Sequence, residues 1–77
     1  MNVIKLLNEL KENFDLSEFY CITIWNNLNE LNLQGDFTNQ NVKIAEALSI
    51  KLSYVDGFIK GKSENGPITV KITLSSK

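Results

Sequence analysis

Residues 19–37 read FYCITIWNNLNELNLQGDF and predict two consecutive β-strands. The first segment, residues 19–25, is dense in aromatic and β-branched residues, the composition that strands favour. The pair Asn26-Asn27 breaks it, and apolar side chains alternate with polar ones in the second segment, residues 31–37. Gly35 inside this second segment indicates a bulge. Because only a short turn separates the two segments, we expect them to pair antiparallel.

Amphipathic helices are predicted on both sides of this strand pair. Apolar residues recur there at spacings of three and four, the period of a helix with one buried stripe. They are Val3, Leu6, Leu7, Leu10 and Phe14 before the strands, and Val42, Ile44, Ala45 and Leu48 after them. Asn2 is a candidate N-cap for the first helix and Thr38 or Asn39 for the second, because short polar side chains accept hydrogen bonds from free amides. We expect the second helix to end near Ser49.

The last third of the chain predicts further strands. Residues 52–55 are strand-like, and the following Asp56-Gly57 pair is typical of a two-residue hairpin with a return strand over residues 58–62. One long strand with a bulge at Gly57 is the alternative. Residues 64–67 predict a turn, and residues 68–75 then alternate strictly between apolar and polar side chains.

These elements predict a two-layer α+β fold. The expected order is α-β-β-α-β-β, with an antiparallel sheet of four or five strands and two helices on one face of it. Residues 1–77 contain neither a linker nor a low-complexity segment, so we expect a single domain.

Composition narrows the classes of function. The 77 residues include no histidine and one cysteine, and every one of the eight basic residues is lysine. The usual general base, the usual metal ligands and the bidentate guanidinium group are therefore missing. Cys21 lies in mid-strand without a histidine base, which predicts a packing residue. We expect no catalytic residue, no metal site and no cofactor, and therefore no enzyme.

The N-terminal segment predicts neither export nor a membrane anchor. Charged residues interrupt residues 1–14, whereas a signal peptide needs an unbroken apolar region. No apolar stretch approaches the ~20 residues that span a bilayer. Together with the unpaired thiol, these features predict a cytoplasmic protein without a membrane partner.

The first strand pair is expected to carry a protein-binding surface. If Tyr20, Ile22, Ile24, Leu31 and Leu33 face the helices, the alternate residues face away from them. The predicted partner-binding residues are Phe19, Thr23, Trp25, Asn32, Gln34 and Asp36. Large aromatic residues are frequent anchors of protein interfaces. We expect the partner, a host protein or a second copy of the chain, to bind through this face or through a free strand edge, where main-chain pairing needs no special side chains. Self-association, most simply a homodimer, would also compensate for the small core of so short a chain.

A second surface arises from the segregation of charge. Residues 1–50 contain three lysines and seven acidic residues, whereas residues 51–77 contain five lysines and two acidic residues. Lys51, Lys60, Lys62 and Lys71 are therefore candidate nucleic-acid-binding residues, with Tyr54 or Phe58 as stacking groups. Lysines also protect sheet edges from aggregation, which is the simpler interpretation. An oligomer that encloses a small ligand between asparagine and lysine side chains is a further alternative.

The chain also resembles a known group of proteins. The abundance of lysine and asparagine, which AT-rich codons encode, indicates a low-GC bacterium or its phage as the source. The resemblance lies in the short first helix of acidic residues and lysines, the Ile22-Thr23-Ile24-Trp25 strand and the strand over residues 31–37. In these respects it looks like small phage- or prophage-encoded α+β proteins of low-GC hosts, a group that includes anti-CRISPR and other anti-defence inhibitors. The resemblance implies a non-enzymatic protein that binds and inhibits a host protein in the host cytosol.

Overall fold

The computed structural model describes residues 2–65 and 67–76, with two helices and a five-stranded sheet. Its elements are α1 Val3–Asn13, β1 Phe19–Trp25, a 3-10 turn Asn26–Leu28, β2 Glu30–Asp36, α2 Asn39–Ala47, β3 Ser53–Val55, β4 Phe58–Asn65 and β5 Ile68–Ser75. The α+β class is confirmed. Gly66, part of the predicted turn, lies outside the described residues.

Both predicted helices form, and side-chain caps start them. The Asn2 side chain accepts a hydrogen bond from the amide of Lys5 at 2.8 Å. Thr38, rather than Asn39, caps α2, since its hydroxyl accepts from the Asn41 amide at 3.2 Å. Each cap satisfies one of the amides that a helix start leaves without an intrahelical partner. In the described part of the chain no helix is long and apolar enough to cross a membrane.

The strand order is β1-β2-β5-β4-β3, and the sheet is mixed. β1 and β2 pair antiparallel, as do β3 with β4 and β4 with β5, but β2 and β5 run parallel. The prediction of a purely antiparallel sheet is therefore wrong. The reason is that α2 carries the chain back before β3 begins, so β3 and β5 run in the same direction as β2.

The predicted order of elements is also incomplete. The Asp56-Gly57 pair makes a hairpin between β3 and β4 rather than a bulge in one long strand, which resolves the open alternative. This gives the order α-β-β-α-β-β-β. The strictly alternating segment becomes β5, which lies at the centre of the sheet between β2 and β4. All four of its apolar side chains are buried.

Both helices pack on the same face of the sheet, as the sequence predicts. The residues of the sheet that contact them are nearly inaccessible: Leu31, Leu33 and Leu74 are 0% exposed and Ile72 is 1% exposed. These side chains form one hydrophobic cluster with residues of both helices. The helical members are Val3, Leu7, Leu10, Ile44 and Ala45.

A bulge near the start of β1 changes which residues face the helices. Phe19 pairs with Gly35, but Cys21 pairs with Gln34, so Tyr20 is an extra residue. Because side chains alternate with a period of two, this extra residue reverses the pattern before it. Phe19 is consequently buried at 6% exposure, and Tyr20 is 67% exposed. The predicted orientations of these two residues are therefore wrong, although Gly35 does mark the bulge.

Candidate functional site

The face of the sheet opposite the helices, which we call the open face, is the largest candidate surface. The register of the pairs places there every strand residue that alternates with the buried ones. In strand order these residues are Cys21, Thr23 and Trp25; Glu30, Asn32, Gln34 and Asp36; Thr69, Lys71, Thr73 and Ser75; Phe58, Lys60, Lys62 and Glu64; Ser53 and Val55. Both described helices bury their apolar residues against the other face.

Five of the six predicted partner-binding residues share this open face. Thr23 lies opposite Asn32, and Trp25 lies opposite Glu30, at one corner of the sheet. Gln34 and Asp36 follow Asn32 along β2. The Trp25 side chain is 48% exposed, enough to contact a partner with much of its indole ring. Phe19 is not part of the surface, because the bulge turns it into the core.

The two ends of the open face carry its aromatic groups. Trp25 stands at the corner where β1 ends, and Phe58 stands where β4 begins, beside Val55 of β3. Phe58 is 41% exposed and Val55 is 42% exposed. The sequence predicts Phe58 only as a stacking group for nucleic acid. The signal for its position was the Asp56-Gly57 hairpin, which fixes the residues on either side of the turn as a cross-strand pair.

Three of the four predicted nucleic-acid-binding lysines come together on the open face. Lys62 lies directly opposite Lys71, and Lys60 lies opposite Thr73. These four residues border a shallow depression. Lys51 is not among them. A side chain on Gly61, which points to the helix side, would come within 2.5 Å of the Lys51 carbonyl, so the Lys51 backbone crosses β4 on that side.

Acidic partners balance these lysines. The Lys71 ammonium lies 3.1 Å from the Glu30 carboxylate, and the Lys62 ammonium lies 3.4 Å from that of Glu64. The hydrogen bond that the Asn32 side chain donates at 2.8 Å, followed by that from Lys71, lowers the pKa of Glu30 below its ordinary value. Together with Asp36, the open face holds three carboxylates against three ammonium groups, so it has no net charge.

The remaining lysine and the cysteine have neighbours of a different kind. The Lys60 ammonium lies 5.6 Å from the centroid of the Phe58 ring, within the range of a cation–π interaction. Cys21 is exposed on the open face, with its sulfur 3.7 Å from the Thr23 hydroxyl. The prediction that Cys21 is a packing residue is therefore wrong, because no described layer covers the face to which it points.

The described residues offer no constellation for metal chemistry. Among residues 2–65 and 67–76, no group of three or more histidine, cysteine, aspartate or glutamate side chains is placed to hold a metal ion. What the open face offers is a surface of hydroxyl, amide and charged groups between two apolar corners. Such a surface is suited to recognition of another macromolecule.

No protein-family model matches the chain, and neither a curated protein nor a solved structure matches it.

Proposed function

We propose that this chain is a non-enzymatic interaction protein whose open face binds a protein partner. The observation that carries the proposal is a five-stranded sheet with both described helices on one face and a half-exposed tryptophan, Trp25, on the other. Tryptophan buries a large area with little loss of conformational entropy, and it is enriched among the residues that dominate binding energy. The hydroxyl and amide groups around it supply the hydrogen bonds that fix orientation.

The charge balance of the open face favours a protein over a polyanion as the partner. Two of its three lysines already pair with the carboxylates of Glu30 and Glu64. These carboxylates would repel the phosphates of a nucleic acid unless the phosphates displaced them from the lysines. A protein surface with interspersed charges can instead satisfy both signs. The resemblance to small phage-encoded inhibitors supports a host protein, such as a component of a defence system, as the partner in the host cytosol.

Replacing Trp25 by alanine is expected to weaken binding to the partner by about 30-fold, or about 2 kcal/mol, the loss typical of an interface anchor. The test is capture of partners from a lysate of a low-GC bacterium, followed by titration of the protein that the wild type retains. Gln34 lies on β2, next to the end strand β1. Gln34→Arg should also weaken binding, because the longer arginine side chain would hold the partner off the open face.

Tyr54→Ala is the matched control. Tyr54 is 70% exposed, but its pairing with Ile59 directs it to the helix side of the sheet. Its loss should leave partner binding unchanged. A partner that binds folded Trp25→Ala and Gln34→Arg variants as tightly as the wild type would rule out the open face.

Nucleic-acid binding is the second candidate function, and the adjacency of Lys60, Lys62 and Lys71 on the open face favours it. Phe58 beside Lys60 would serve as the stacking group. This function predicts binding to a fluorescent single-stranded oligonucleotide that weakens steeply between low and physiological salt, with a slope reduced by about one for each lysine replaced. Absence of binding at low salt would exclude it.

A further inference from the structure

We propose that the outer edge of β1 pairs antiparallel with β1 of a second copy, so that the two sheets become one. We call this side of the strand, the one away from β2, the β1 edge. β1 is an end strand of the sheet, and no described strand lies beyond it. The inference concerns the β1 edge rather than the open face, so it does not depend on the proposed function.

The β1 edge lacks the usual protection of an edge strand. Such strands commonly carry lysine, other charges or proline, which block pairing with further strands. Residues 19–29 form the longest stretch of this sequence without a charged residue, and proline is absent from it. The opposite edge of the sheet is protected, because β3 has only three residues and lies between Lys51 and Asp56. The difference singles out β1 as the strand able to accept a partner.

The regular part of β1 fixes the register of pairing. The bulge interrupts the strand before Cys21, and the 3-10 turn follows Trp25, so unbroken pairing covers Cys21–Trp25. Two copies of this segment related by a two-fold axis meet at its centre, Thr23. Thr23 then lies opposite Thr23 of the second copy, Ile22 lies opposite Ile24, and Cys21 lies opposite Trp25.

Each of these pairs is favourable, which argues for a second copy rather than an unrelated strand. On the helix side, half-buried Ile22 would meet Ile24, which is 36% exposed in the single chain. On the open face, threonines would meet at the centre, and the Cys21 sulfur would contact the indole of Trp25, a favourable sulfur–aromatic pair. No charged side chain opposes another within this segment, so self-pairing carries no electrostatic penalty.

The consequence is a larger binding surface. A two-fold axis perpendicular to the sheet keeps both pairs of helices on one side and both open faces on the other. Two five-stranded sheets thus join into one of ten strands. The two Trp25 side chains, which stand at a corner of each separate sheet, become neighbours of the central seam.

Two variants that place opposite charges at position 23, Thr23→Lys and Thr23→Glu, test both the pairing of the two β1 strands and its register. Thr23 lies on the open face, where a longer side chain can reach solvent, so the variants should remain folded. By analytical ultracentrifugation we expect wild type and the edge control Tyr54→Lys to be dimers. Thr23→Lys and Thr23→Glu should each be monomers, because like charges would face each other at the centre. An equimolar mixture of the two variants should recover the dimer.

A disulfide provides the second measurement. Thr23→Cys in a Cys21→Ser background should form an interchain disulfide on oxidation, whereas wild-type Cys21 should not, since Cys21 opposes Trp25 rather than its own copy. A monomeric wild type would overturn the proposal and leave the β1 edge to a strand of another protein. A dimer that survives Thr23→Lys, a mixture that stays monomeric, or a Thr23→Cys variant that forms no interchain disulfide would overturn it as well.

Discussion

Alanine in place of Gly35 is expected to destabilise the protein by about 3 kcal/mol, the upper end of the range for overpacking a core. A β-carbon at this position would come within 2.5 Å of the Glu18 carbonyl oxygen, 2.9 Å of the Asn41 side-chain nitrogen and 3.0 Å of the Phe19 α-carbon. Two of these three atoms belong to the backbone, so a change of rotamer cannot relieve the clash. Urea denaturation monitored by Trp25 fluorescence measures the loss.

Gly57→Ala is the control for this substitution. Gly57 has a φ of 84°, which alanine adopts only with backbone strain of about 1–2 kcal/mol, but a β-carbon at this position would have no atom within 4 Å, so the substitution adds strain without a steric clash. A Gly35→Ala variant that is no less stable than Gly57→Ala would contradict the close approach of Glu18 and Phe19 to β2. It would also remove the basis for the bulge that turns Phe19 inwards.

The elements of the fold could be predicted because local sequence patterns define them. The helix periodicity, the cap residue Asn2 and the alternation of residues 68–75 all depend on neighbours in the chain, and all are confirmed. The direction of β5 relative to β2 could not be obtained in this way. It depends on where α2 returns the chain, a property of the whole connection that no single turn encodes.

The candidate site was predictable to the same degree. Alternation along β1 and β2 placed Thr23, Trp25, Asn32, Gln34 and Asp36 on one face correctly. The prediction for Phe19 was wrong because Gly35 indicates a bulge but not which strand holds the extra residue. That residue, Tyr20, belongs to β1 and not to β2. The ion pair between Lys71 and Glu30 was also out of reach, because the register of β5 against β2 decides it.

Asn41 is the second position at which a single change should be severe. It is the one polar residue among the fully buried side chains of the described chain. Its side-chain nitrogen donates to the Glu18 carbonyl at 3.1 Å and to the Asp36 carbonyl at 2.9 Å. These bonds join α2 to the turn before β1 and to the end of β2. Within the described residues its side-chain oxygen has no hydrogen-bond partner.

Asn41→Asp is therefore expected to cost about 4 kcal/mol at neutral pH, because it buries an unpaired charge. An ionised carboxylate only accepts hydrogen bonds, so it would repel the two carbonyl oxygens that the amide now bridges. A chain of 77 residues has a total unfolding free energy of about 4–12 kcal/mol. The substitution should remove a third of that stability or more, and at the lower end of the range about half of the molecules would be unfolded at pH 7.

The pH dependence distinguishes a buried charge from a simple packing defect. Burial beside two carbonyl oxygens raises the pKa of the new carboxyl group in the folded state above its unfolded value of about 3.9. The protonated form can donate one hydrogen bond, so the variant should be most stable below pH 4 and lose stability as the pH rises through the folded-state pKa.

Asn39→Asp, at an exposed position in the first turn of the same helix, should be neutral or slightly stabilising through the helix dipole. The difference in unfolding free energy between the two variants, measured from pH 3 to pH 7, should widen with pH. A constant difference would mean that the side chain at position 41 reaches solvent.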